Sequence, residues 1–100
     1  MLAAAMMALT ALPAQAGEIT QAGPGCLDRS YAEKLFTHRD VTRDPAAAGA
    51  MIDDGIRSGS CRVFKIGEQV EIESKSTFGL SCVKPTGSGR CFWVSPTMAE

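Results

Sequence analysis

The sequence is poor in the residues that carry chemistry. Its 100 residues include one histidine (His38), one tyrosine and one tryptophan. A single imidazole excludes a histidine-rich metal site. As a general base His38 would need an orienting carboxylate and a nucleophile, and Asp40 is a weak candidate for the first. A solvated residue at a helix end is the simpler reading. No G-x-S-x-G elbow and no glycine-rich phosphate loop ahead of a helix occurs. The four cysteines, at 26, 61, 82 and 91, are spaced by 35, 21 and 9 residues and include no C-x-x-C pair. That removes the zinc-ribbon and thioredoxin-type motifs. Net charge is −1 with both signs interspersed, so no basic field exists to attract nucleic acid. Asp53 and Asp54 are adjacent, but helical neighbours diverge by about 100° and no Asx-rich loop accompanies them, so calcium is not expected. The sequence predicts a protein that is not an enzyme and needs no cofactor and no metal.

No apolar run is long enough to span a bilayer. Residues 1–12 are mostly apolar, Pro13 breaks the run, and Ala14-Gln15-Ala16 places small residues where a signal peptidase cuts. This predicts a signal peptide over 1–16, although no Lys or Arg precedes the apolar stretch. The remaining 17–100 holds all four cysteines. An even count in a small exported domain points to two disulfides in an oxidising compartment, periplasmic or extracellular. After cleavage no membrane span remains, and a monomer is expected.

Glycines, a proline and no periodicity mark 17–25 as a flexible lead-in, with a single domain over 26–100. A first helix is expected over 28–38, with Leu27, Tyr31 and Leu35 on one face and Ala32 and Phe36 widening it. Asp44-Pro45 starts a second, over 45–57, with Ala48, Met51, Ile52 and Ile56 inward. Gly49 and Gly55 weaken it, and Gly59 stops it. A helical hairpin over 27–58 brings its outer ends together, which makes Cys26–Cys61 the natural bridge.

Strands are expected within 61–95, at 63–68, 70–74, 77–84 and 90–94. Val70-Glu71-Ile72-Glu73 alternates apolar with acidic, and Lys75 or Lys84 can neutralise the acids across strands. A hairpin loop at 85–88 would pair Lys84 with Gly89, Val83 with Arg90 and Cys82 with Cys91. That register makes Cys82–Cys91 the second bridge. The expected fold class is α+β: an N-terminal helical hairpin, then a small antiparallel sheet or partial barrel of three or four strands, stapled by disulfides.

Three stretches carry a resemblance: Ile66-Gly67-Glu68-Gln69-Val70-Glu71-Ile72, Gly79-Leu80-Ser81-Cys82-Val83-Lys84 and Phe92-Trp93-Val94. They resemble bacterial SH3-like domains, in which a Gly-x-x-Val-x-Val strand, a Val-Lys strand and an aromatic-Trp strand follow one another. The acidic, tyrosine-rich loop of signalling SH3 domains has no counterpart here, nor does the constellation that cell-wall amidases add. The resemblance implies an SH3-like binding module, contacting an envelope protein or peptidoglycan through Trp93, Phe92 and Arg90. Adjacent strand residues face opposite ways, so either Phe92 or Trp93 points inward. An outward Trp93 could form an aromatic platform with Tyr31 or Phe78; an inward one is a packing residue. Two other readings compete. One is a secreted inhibitor or immunity-type protein acting through the clamped 82–91 loop. The other is a structural accessory with no ligand of its own.

Overall fold

The computed structural model describes residues 15–75 and 79–100. The chain runs β1 (Gln15–Glu18), β2 (Gly23–Cys26), α1 (Arg29–Phe36), a π-helical turn (Thr37–Val41), α2 (Pro45–Ser58), β3 (Cys61–Phe64), β4 (Gln69–Ser74), β5 (Ser81–Pro85) and β6 (Phe92–Val94). The strands form one sheet in the order β1-β4-β5-β6-β2-β3, with every pairing antiparallel.

This corrects the expected fold. The helical pair does not open the domain; two strands precede it, and the sheet has six strands rather than the three or four of an SH3-like partial barrel. The segment read as a flexible lead-in, 17–25, supplies the second half of β1 and most of β2. Its glycine serves close packing: a Cβ on Gly25 would stand 2.6 Å from Val94 Cγ1 and 2.8 Å from Phe64 Cε2. The expected signal segment lies outside the described residues except for Gln15 and Ala16, which pair with Ile72 and Glu71. Thr77 and Phe78 also lie outside them.

Pro24 sits within β2, between two neighbouring strands, where proline is rare. Leu27 donates its N–H to the Ser60 carbonyl at 2.8 Å. Counting back along the ladder, Gly25 and Gly23 bond to β3, so Pro24 turns its donorless nitrogen toward β6. The β2–β6 ladder is accordingly a single pair, Cys26 with Trp93.

Both helices begin where side chains cap them. Asp28 accepts from the Tyr31 N–H at 3.0 Å and Asp44 from the Ala47 N–H at 3.1 Å, with Pro45 opening α2. Gly59, at φ 83°, ends α2 in the left-handed region. Helix α1 buries Ala32, Leu35 and Phe36, and α2 buries Ala48 and Gly55. Ile56, expected inward, is 48% exposed. Gly55 takes the inward position because α2 presses so closely on β3 that a Cβ there would lie 2.6 Å from Cys61 Cβ. The Tyr31 hydroxyl donates to the Met51 carbonyl at 2.8 Å and ties α1 to α2.

The sheet has a core on each side. Phe64, Val70, Ile72, Val83 and Val94 pack with Ile19, Met98 and Ala99 on one face. Cys26, Cys61 and Leu80 pack beneath the helices on the other, against Ala32, Leu35, Phe36 and Ala48. Burying a large apolar side chain contributes ~1.5–3 kcal/mol, so two thin cores gain appreciably from covalent staples.

Both expected disulfides, Cys26–Cys61 and Cys82–Cys91, are formed. The register around the second differs from expectation. Val83 faces Phe92 and Cys82 faces Trp93, two residues beyond the expected pairing. The turn closes as expected, with Ser88 N–H donating to the Pro85 carbonyl at 3.0 Å and Gly87 at φ 85°. Two extra residues, Gly89 and Arg90, then bend away. Ser88 Oγ clasps them, accepting from Arg90 N–H at 3.2 Å and donating to Arg90 C=O at 2.9 Å. A shift of two keeps every side chain on its face, so Cys91 remains within reach of Cys82 at a Cα separation of 5.5 Å.

Candidate functional site

The structure divides the four residues singled out for binding. Phe92 joins the face away from the helices and meets Phe64 edge-on, ring centroids 5.8 Å apart. Trp93 joins the helix-side face, half-buried against that core together with Tyr31. Phe92 and Trp93 therefore form no common platform. The Tyr31 hydroxyl is spent on Met51, and the open face of Trp93 is roofed by the Arg29 guanidinium, 5.0 Å from the ring centroid. Trp93 is both a packing residue and the floor of a cation–π contact.

Arg90 is exposed and opens onto a shallow depression of about 410 Å³, lined also by Leu27, Asp28, Ser58, Gly59 and Ser60. A second, of about 400 Å³, is lined by Asp28, Ser30, Tyr31, Lys34 and Ser60. Asp28 and Ser60 border both, so the two adjoin along the start of α1. The Tyr31 backbone N–H, followed by the Ser30 hydroxyl, holds the Asp28 carboxyl below its ordinary value and keeps it anionic. Ser58 and Ser60 hydroxyls lie 3.0 Å apart. Arg29 pairs with Glu33 at 3.3 Å. Among the described residues, neither Lys34 nor Arg90 forms an ion pair. The surface thus offers one fixed anion, two cations without carboxylate partners and a row of hydroxyls.

In the sequence Asp28 reads only as a helix cap, and nothing singles out Arg29, Lys34 or Ser60. Arg29 and Lys34 read as the solvent side of an amphipathic helix. Nothing local tells that β6 runs beneath that helix and places Trp93 under Arg29. His38 lies in the π-helical turn, and the carboxylate nearest in sequence, Asp40, is taken by Arg39 through bonds of 2.8 and 3.1 Å. The Glu71–Glu73 pair meets Lys84, at 3.8 and 3.1 Å. Among the described residues no three His, Cys, Asp or Glu side chains are grouped to hold a metal ion.

The two disulfides fit a small secreted protein. No helix among the described residues is long and apolar enough to cross a membrane. Compared with known proteins, the chain matches no family model, no curated protein and no solved structure, and the SH3-like resemblance rests on its three motifs alone.

Proposed function

We propose that this is an exported, non-catalytic binding module that contacts peptidoglycan or an envelope protein through the surface around Asp28, Lys34 and Arg90, beside the Arg29–Trp93 contact. One observation carries the reading. Two open depressions adjoin at Asp28 and Ser60, and Lys34 and Arg90, which pair with no carboxylate among the described residues, line them and can meet a ligand's anions. Shallow and solvent-open, the surface suits an extended polymer or a protein face better than an enclosed small substrate. Peptidoglycan stems carry carboxylates, which suits those cations.

The test is co-sedimentation of the oxidised protein with purified cell-wall sacculi, beside Lys34→Ala and Arg90→Ala. Both side chains are exposed, so the variants keep the fold. Saturable pelleting of the native protein that weakens in both variants is expected. Equal pelleting of all three would remove this surface from the reading, and no pelleting at all would leave an envelope protein as the ligand to seek.

A second reading, an inhibitor acting through the 82–91 loop, is favoured by that loop's rigidity. It is closed by a disulfide, by the turn at Pro85 and by the Ser88 clasp, with Thr86 exposed at its tip. Preorganisation of this kind lowers the entropic cost of binding. An inhibitor would co-purify with one soluble enzyme and lose it on Thr86→Glu.

A further inference from the structure

The two outer strands of the sheet, β1 and β3, differ in how their edges are finished. Residues 98–100 cover β1: Glu18 and Glu100 exchange backbone bonds of 2.8 and 3.0 Å, and Ile19 bridges to Ala99. Strand β3 pairs, among the described residues, only with β2. Because the peptide groups of Arg62 and Phe64 face β2, those of Val63 face outward. Among the described residues four large apolar side chains are prominently exposed, and three of them lie on β3 or on segments next to it: Ile56 (48%) in α2, which packs on β3, Val63 (48%) and Ile66 (69%). An outward N–H and C=O select an extended backbone as their partner, and the apolar flank selects apolar side chains.

We infer that the β3 edge takes a second copy of this chain, strand against strand and antiparallel about Val63, in place of the monomer expected from the sequence. In that register Val63 faces its own counterpart, Arg62 faces the second copy's Phe64, and Cys61 faces the second copy's Lys65. No like charges oppose one another, whereas registers that pair Arg62 with Arg62, Arg62 with Lys65 or Lys65 with Lys65 would set cation against cation. Arg62 is already neutralised by Glu68 and lies over its own Phe64 ring at 4.3 Å, so it meets the second copy as a stacked rather than a bare charge. A net charge of −1 leaves little repulsion between copies. Twofold pairing uses up both edges, so the assembly stops at two.

Sedimentation velocity of the oxidised protein from micromolar to near-millimolar concentration tests this, with Val63→Pro and Val63→Lys alongside. Proline removes the outward donor and leaves the β2 ladder intact. Lysine places like charges face to face at the axis, and it carries the test if the proline variant loses its near-ultraviolet circular dichroism. A native dimer whose dissociation constant rises at least about tenfold in the lysine variant is expected. A native protein that stays monomeric throughout, or a dimer equally tight in Val63→Lys, overturns the inference. A monomer that instead captures an extended apolar peptide also overturns it, and assigns the edge to another chain.

Discussion

Cys82 faces Trp93, not Cys91, across the β5–β6 ladder. On its other side Trp93 faces Cys26, so the single indole lies between the two sulfur bridges. Disulfides quench a neighbouring excited indole by accepting its electron. The folded protein is therefore expected to emit weakly, and a Cys82→Ala/Cys91→Ala variant to emit more strongly without unfolding. Equal emission from native and variant proteins, both folded, would contradict this placement of Trp93.

The two bridges should differ in what they contribute. Cys26–Cys61 closes 35 residues of chain and Cys82–Cys91 closes 9. In the chain-entropy account these are worth about 4 and about 3 kcal/mol. Urea unfolding of the two double-alanine variants checks the order; a larger loss from the shorter loop would count against an entropic origin.

Gly55 and Gly49 sit in the same helix and predict opposite outcomes. Nothing lies within 4 Å of a Cβ on Gly49, so Gly49→Ala is expected to gain about 1 kcal/mol of helix propensity. Gly55→Ala gains the same propensity but drives its methyl into Cys61, for a net loss of about 1–3 kcal/mol. Thermal or urea unfolding reads both, and a stabilised Gly55→Ala would show that α2 can move off β3.

Ser81 is 1% exposed in the sheet, and its hydroxyl has no hydrogen-bond partner among the described residues. A buried hydroxyl that regains no bond is a cost. Ser81→Ala is expected to leave stability unchanged or raise it by up to about 1 kcal/mol. A clear loss on unfolding would mean that the hydroxyl is satisfied in solution.

Two surface charges act at opposite ends of the pH scale. Asp28 is held below its ordinary 3.8 by the Tyr31 N–H, so its contribution is full above that value and lost as pH falls through the lowered pKa of the folded state. Lys84 is raised above its ordinary 10.5 by its bond to Glu73, then by the charges of Glu73 and Glu71. Its contribution is present below 10.5 and lost as pH rises through the raised value. Melting temperature against pH should lose part of its acid limb in Asp28→Asn and part of its alkaline limb in Lys84→Met. Both effects are small, since both groups are solvated.

What the sequence shows of this fold follows how local each determinant is. Asp28, Asp44-Pro45 and Gly59 act within a turn of themselves, and both helices begin and end close to where those residues predict. The disulfide partners were legible too, for the second bridge by way of a register that was two residues off and therefore still on the correct face. Strands β1 and β2 were not legible. Gly23-Pro24-Gly25 has the composition of a loop, and only the distant Phe64 and Val94, which close over Gly25, explain a glycine in a strand. The site divides in the same way. Trp93, Tyr31 and Arg90 stand out by residue type, whereas Arg29 becomes part of it only because β6 passes beneath α1.

Pro24 has a consequence for motion. It leaves β2 and β6 joined by one pair, and neither covalent bridge crosses there: Cys26–Cys61 links β2 to β3, and Cys82–Cys91 links β5 to the residue ahead of β6. The two sides of the sheet thus meet along a seam with one ladder pair, held otherwise by side chains: Phe64 against Phe92 and Val94 on one face, the helices on the other. Amide hydrogens of β4 and β5 should exchange only when the larger side opens, whereas those of β2 and β3 should exchange together through a cheaper, partial opening that leaves the rest of the sheet folded.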